Sequence, residues 1–223
     1  MSMYVKGANT LANFLNLVYF LILFLFCMAI IISLFKHASM FRSLLIMMGG
    51  LAIMGVAVYV AVHVLLSGDT SKFVYLEHAE IPEKAILCGE VFLMVLVCFL
   101  SIKYKKYYAI LFSLVGTIPV LWMDLTHKAI EGNTCIRIDT FAAVMYLIVG
   151  FVGILICIYA SGYMKDYHHH HTDVEDRSGY FLALMFVFLG AMFGLISSDN
   201  LGFIYFFWEI TSVCSFLMIG YTR

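Results

Sequence analysis

Charge is what this sequence lacks most. Only 12% of its 223 residues are Asp, Glu, Lys or Arg, whereas 64% are hydrophobic, and the mean hydropathy is +1.00. A soluble domain is about 45–50% apolar and about 25% charged. A water-facing surface of the size this chain would need cannot be covered with so few polar groups, so a soluble globular domain is excluded. A bilayer removes the difficulty, because lipid then solvates the outer faces of the helices. The formal net charge of -1 offers nucleic acid no basic surface, and no such partner is expected. Metal-site spacing is absent too. The six cysteines, Cys27, Cys88, Cys98, Cys135, Cys157 and Cys214, contain no CxxC pair of the zinc or iron–sulfur kind. Five fall in apolar runs and read as small packing residues. Cys135 alone lies in a polar connection and has no obvious disulfide partner. No cofactor is expected on this chain, and any redox centre it works with belongs to another.

Long apolar runs are what the sequence does have. Crossing about 30 Å of hydrocarbon takes about 20 mostly apolar helical residues. Seven stretches qualify: 12–35, 42–67, 83–102, 106–125, 139–163, 179–197 and 200–220. The first is too long for a signal-peptide core and lacks a small-residue cleavage site, so it reads as a retained helix. The longer connections, 68–82, 126–138 and 164–178, do not resemble folded soluble domains. The expected fold is an all-α, polytopic transmembrane bundle of about seven spans. Lys36, Arg42, Lys103, Lys105, Lys106, Lys165, Arg177 and Arg223 fall on one side, and Lys6, Lys72, Lys84, Lys128 and Arg137 on the other. Cytoplasmic loops carry the basic excess, so the N-terminus is expected outside and the C-terminus in the cytoplasm of a cell (inner) membrane.

Ionisable groups inside spans are costly to keep there and usually functional. Glu209 stands near the middle of 200–220, behind Phe206, Phe207 and Trp208. Hydrocarbon penalises a carboxylate, which makes a proton-carrying form accessible, and that is what a proton relay needs. Thr211 and Ser212 lie on the same helix, and Ser212 at i+3 shares the face of Glu209 and is placed to hydrogen-bond it or hold a water. The plainer reading is a structural carboxyl paired with a basic group elsewhere. Glu90 lies a third of the way into its span, as a relay group or as a partner for His63. Asp124, next to His127 and Lys128, reads as an interfacial carboxylate. His168–His171, among Asp166, Asp173, Glu175 and Asp176, reads as a solvated loop with incidental metal affinity. Gly49–Gly50, Gly116 and Pro119 mark close helix approach or kinks. Tyr104, Tyr107, Tyr108, Trp122, Tyr163 and Tyr180 fit interfacial belts. No catalytic, metal-binding or cofactor-binding residue is assigned.

One segment carries more specific information. It is Ser197-Ser198-Asp199-Asn200-Leu201, then Phe207-Trp208-Glu209-Ile210-Thr211-Ser212 and onward through Ser215-Phe216-Leu217-Met218-Ile219-Gly220-Tyr221. It resembles the signature of the antiporter-like subunits of respiratory complex I, especially subunit 5. The large subunit of Mrp-type Na+/H+ antiporters and energy-converting membrane hydrogenases share this signature. Upstream, Ile138-Asp139-Thr140-Phe141 opens a span closing at Gly162-Tyr163-Met164, and Tyr180–Gly194 resembles the next helix. The resemblance covers 136–223, the beginning of the antiporter-like module, and leaves 1–135 as a four-helix region of unclear relationship. It implies that Glu209 is the family's intramembrane glutamate, paired with a lysine on a later helix. No Lys or Arg lies at mid-depth in any span here, so that lysine is expected in further sequence or on a second membrane chain. The implied role is a non-catalytic subunit of a redox-driven proton or sodium pump. Its peripheral redox partners would hold iron–sulfur clusters and nickel–iron or flavin centres. The alternatives are a Na+/H+ antiporter subunit without redox chemistry and a structural membrane scaffold.

Overall fold

The computed structural model describes residues 2–35, 39–66, 71–75, 80–105, 107–126, 134–170, 176–199 and 201–222. Apolar runs become helices: α1 (Ser2–Leu34), α2 (Ser39–Leu66), α3 (Glu80–Lys103), α4 (Tyr107–Thr126), α5 (Thr140–Leu147), α6 (Ile154–His170), α7 (Ser178–Ser197) and α8 (Leu201–Ile219). A π-helical segment, Ile148–Gly153, joins α5 to α6 without a break, and a 3-10 turn, Gly220–Thr222, follows α8. The all-α polytopic class holds. Five helical segments among the described residues are long and apolar enough to cross a membrane: Asn16–Leu34, Met40–Leu66, Thr140–Tyr167, Ser178–Ser197 and Leu201–Ile219. At about 1.5 Å rise per residue, α3 with 24 residues and α4 with 20 also reach spanning length, although neither is among those five. Phe20, Phe92 and Trp122 lie 62%, 65% and 69% exposed, as lipid-facing side chains do.

The connections 68–82 and 126–138 carry a feature the sequence reading did not anticipate. They hold β1 (Ser71–Tyr75) and β2 (Thr134–Asp139), which pair antiparallel with Ser71 opposite Asp139 and Phe73 opposite Arg137. Phe73, Val74, Tyr75, Ile136 and Ile138 are aromatic or β-branched and favour strand. Two segments brought together over the ends of the helices can then satisfy one another's backbone groups. Asp139 ends the strand in an extended conformation and accepts a hydrogen bond from the Ala142 amide at 2.8 Å, capping α5. One expectation needs correction: the helix was expected to close at Gly162–Met164. It runs on to His170. Nothing there breaks it: Met164 is buried, and the imidazole of His170 turns back on Asp166, its Nδ1 3.0 Å from the backbone oxygen and 3.6 Å from Oδ1.

The main core lies between α1, α2, α5–α6 and α7, where Leu25, Ile53, Ala57, Tyr146, Phe186 and Phe193 are 0% exposed. Small residues set the spacing, as the glycines of α2 led one to expect. Gly49 makes room for Met28 of α1, and a Cβ on Gly50 would lie 2.8 Å from Cγ2 of Ile154. The π segment uses the same device on two sides. Gly150 faces Ala57 of α2, and a Cβ on Gly153 would lie 2.6 Å from Leu189 of α7. Helices α3 and α4 stand apart from this core and pack against each other, with α3 also against α8.

Contacts between distant segments sort the chain into two ends. The strand ribbon and the Arg137–Asp199 pair (3.8 Å) mark one. At the other, Arg42 Nη2 donates to Ser178 Oγ at 2.8 Å, Tyr104 packs on Phe216, and Phe181 on Tyr221. Arg42 therefore lies at the same end as the start of α7.

Candidate functional site

Helix α8 forms because 201–219 is a predominantly apolar run without proline, and Glu209 falls at its centre. The carboxyl is partly buried. Oε1 accepts a hydrogen bond from the hydroxyl of Tyr205, one turn earlier, at 2.8 Å, and a longer one from Thr117 of α4 at 3.5 Å. The Thr117 hydroxyl also lies within hydrogen-bond reach of Tyr205, and Thr117 is fully buried. The second oxygen, Oε2, is shielded from solvent and meets no hydrogen-bond donor among the described residues. One oxygen is thus held by hydroxyls while the other stays open to a proton or another donor. A buried acceptor without a donor is unfavourable, and a donor on a further group or a water would satisfy it.

Glycines from three helices bring α8 in close. Gly89 of α3 lies against the ring of Phe206. A Cβ on Gly194 of α7 would lie 2.5 Å from the ring of Phe207, and one on Gly116 of α4 would lie 3.1 Å from the Tyr205 oxygen. Three neighbouring aromatic positions on α8 therefore seat against three different helices. Glu90 follows Gly89 on α3 and is 0% exposed, enclosed on a helix that packs against α4 and α8.

The other sequence-derived candidates are distributed elsewhere. Thr211 and Ser212 do not hydrogen-bond Glu209; both hydroxyls donate to the Trp208 carbonyl, at 2.7 and 3.0 Å. Such backbone bonding is what a hydroxyl on a helix does when no polar neighbour faces it. His63 sits on α2 with its ring 5.9 Å from that of Tyr59, beside an open groove lined by Gly55, Val58, Val62 and Leu66. The side chains of Asp124, Cys135, His168 and His169, and all of His127, Lys128, Asp173, Glu175 and His171, lie outside the described residues. Among the described residues no three His, Cys, Asp or Glu side chains group to hold a metal. Two participants were missed from the sequence. Tyr205 had a signal in its i−4 spacing to Glu209; Thr117, 92 residues away, had none.

A second polar array caps the ribbon end of α5 and α7. The Tyr146 hydroxyl contacts Ser197 Oγ, which itself donates to the Phe193 carbonyl at 2.7 Å. Ser197 therefore accepts from Tyr146, and the two helices are tied by a buried chain of hydrogen bonds.

Residues 122–172 match the family described as NADH-Ubiquinone oxidoreductase (complex I), chain 5 N-terminus. That stretch takes in β2, α5, the π segment and α6, and precedes α8. The chain is 38% identical over 89 residues to a probable K(+)/H(+) antiporter protein of Rhizobium meliloti (strain 1021), covering 40% of this chain and 8% of that protein. It is 41% identical over 84 residues to the chloroplastic NAD(P)H-quinone oxidoreductase subunit 5 of Carthamus tinctorius, covering 38% and 10%. Against the same subunit of Zygnema circumcarinatum it is 37% identical over 102 residues, covering 46% and 13%. The matched stretches thus span about a tenth of the length of these curated relatives. No solved structure matches the chain. The resemblance read from the sequence is sound.

Proposed function

Taking the complex I chain 5 N-terminal family as the kin of residues 122–172, we propose that this chain is a membrane-arm subunit of an ion-translocating complex. Glu209 is its proton-relay carboxyl. The observation that carries the reading is the environment of that residue: a carboxyl at the centre of an apolar spanning helix, gripped on one oxygen by Tyr205 and Thr117 and open on the other. A carboxyl so placed takes a proton at low cost and returns it when a neighbouring charge changes. Proton is the principal ion, sodium the alternative. A lysine on a further membrane segment or subunit completes the pair, and redox chemistry belongs to peripheral partners with iron–sulfur, nickel–iron or flavin centres. The basic residues of the Arg42, Lys103 and Arg177 end support a cytoplasmic C-terminus in the inner membrane. A second reading, a cation/proton antiporter component without redox partners, is favoured by the likeness to the Rhizobium protein.

The test uses inverted vesicles of native membranes containing the whole complex, with a fluorescent dye reporting the pH gradient. Glu209→Gln keeps the shape of the side chain and removes its titration. It is expected to leave the chain assembled and to abolish its share of the gradient. A wild-type gradient in the variant supports a structural scaffold and sinks the relay. If potassium or sodium moves protons without an electron donor, the antiporter reading replaces the pump.

A further inference from the structure

The four-helix region that the family resemblance leaves unexplained holds a second, fully buried carboxyl, on a helix packed against the one that carries Glu209. Glu90 of α3 is 0% exposed, in the middle of a helix packed on α4 and α8. Its neighbour Gly89 admits the ring of Phe206, which holds that face of α3 tight against α8. On α8 the Tyr205 hydroxyl donates to Glu209 at 2.8 Å, and the chain neighbours of Tyr205 and Glu90, namely Phe206 and Gly89, are the pair in close contact between α8 and α3. Gly116 and Thr117 of α4 close the third side: the one leaves room for the Tyr205 oxygen, the other puts a buried hydroxyl beside it.

A purely structural helix has no need of a fully buried carboxyl on this packed face, since apolar packing would serve as well. A phenol between two acids is a known means of passing a proton, because its oxygen both donates and accepts. Resting on the reading of Glu209 as a relay carboxyl, we infer that Glu90 is a proton donor and acceptor for Glu209, with the Tyr205 hydroxyl as the link and water completing the connection on the Glu90 side.

The transfer balances. Glu90 as the neutral acid releases its proton through the water to Tyr205 Oη while the phenolic proton passes to Oε1 of the Glu209 carboxylate. One O–H bond breaks at Glu90 and one forms at Glu209. Tyr205 and the water are neutral before and after, and the negative charge has moved from α8 to α3. Rotation of the phenolic hydroxyl resets the link. The N-terminal helices thereby become a branch of the ion path instead of packing material.

The experiment measures proton translocation in native membrane vesicles carrying the whole complex with Glu90→Gln, Tyr205→Phe, the double variant, and Glu209→Gln as reference. General acid–base groups typically contribute about 100-fold or more, so each single variant should slow translocation by about tenfold at least. The double variant should be no slower than the slower single, because both remove one link. Glu90→Asp, which restores a carboxyl, should recover part of the rate. Infrared spectra give a second reading: the carboxyl band that Glu209→Gln removes should shift in Tyr205→Phe. A wild-type rate in Glu90→Gln beside a dead Glu209→Gln overturns the inference and leaves Glu209 in its role. Wild-type rates in both overturn the relay itself. Effects that multiply in the double variant show independent roles and also overturn the link. Should Glu90→Gln fail to accumulate, Tyr205→Phe decides alone, since it keeps the ring packing, and an unslowed rate there removes the connection.

Discussion

Gly150→Ala is the sharpest test of how the bundle is packed. Gly150 sits in the π segment, buried, with its Cα turned toward Ala57 on α2. A methyl there would overlap the Cβ of Ala57, and the ring of Phe193 stands 3.4 Å away on another side. Carbon atoms settle at about 3.5–4.0 Å, so the two backbones must separate by roughly 1 Å or more. Ala57 cannot yield by rotating a side chain, because its Cβ is fixed to the backbone, and it is itself 0% exposed. Overpacking of this kind costs about 1–3 kcal/mol. The better helix propensity of alanine returns at most about 1 kcal/mol, and a π segment returns less of it than an α-helix. The net expectation is a loss of about 1–2 kcal/mol. Unfolding of the purified chain in mixed micelles by added SDS measures it, followed by the reactivity of Cys157 and Cys214, which are buried at 1% and 3% exposure. Adding Ala57→Gly moves the methyl from one helix to the other. The double variant should recover most of the lost stability, giving a coupling of about 1 kcal/mol or more. Gly150→Ala at wild-type stability, or additive effects in the pair, would refute the close approach of α2 to the π segment.

Two further outcomes follow from the hydrogen bonds. Asp139→Ala removes the cap of α5 and should cost about 0.5–2 kcal/mol in the same assay; Asp139→Asn, which can still accept from the Ala142 amide, should lose much less. Tyr146→Phe removes the donor to Ser197 and keeps the ring on Phe193 (centroids 4.8 Å apart). The loss should be about 0.5–1.5 kcal/mol, and a larger one would mean that the ring, not the hydroxyl, had moved.

Much of the architecture was legible because hydrocarbon length and composition act locally. An apolar run of about 20 residues has one stable form in lipid, a helix, since only a helix satisfies its own backbone there. That is why the stretches 42–67, 179–197 and 200–220 come within a few residues of α2, α7 and α8. The end of α6 was misplaced because glycine is tolerated inside a membrane helix, and Gly162 therefore signals no stop. The strand ribbon was missed because Ser71–Tyr75 and Thr134–Asp139 pair across 2 intervening helices, and a five-residue strand signals little without its partner.

At the site the division is the same. Glu209 was legible as an isolated carboxyl in an apolar run, and Tyr205 could be reached by counting one helical turn back. The rest came from the fold. Ser212 shares a helix face with Glu209 by periodicity, yet its hydroxyl turns back to the Trp208 backbone carbonyl, as serine hydroxyls within helices commonly do. Thr117 reaches Glu209, and Glu90 is enclosed, only because α3 and α4 fold together beside α8, while α1 and α2 go to the other core with α5–α7. By itself the sequence determined that this chain belongs in a membrane, which stretches are helices and which carboxyl stands in the middle of an apolar run, because each follows from the cost of leaving apolar or charged groups in the wrong solvent. Only the tertiary structure decided which helices are neighbours. In a bilayer every helix is apolar on all sides, and partners are chosen by the fit of glycines to side chains such as Phe206, Phe207 and Ala57, a match between distant residues that no local pattern encodes.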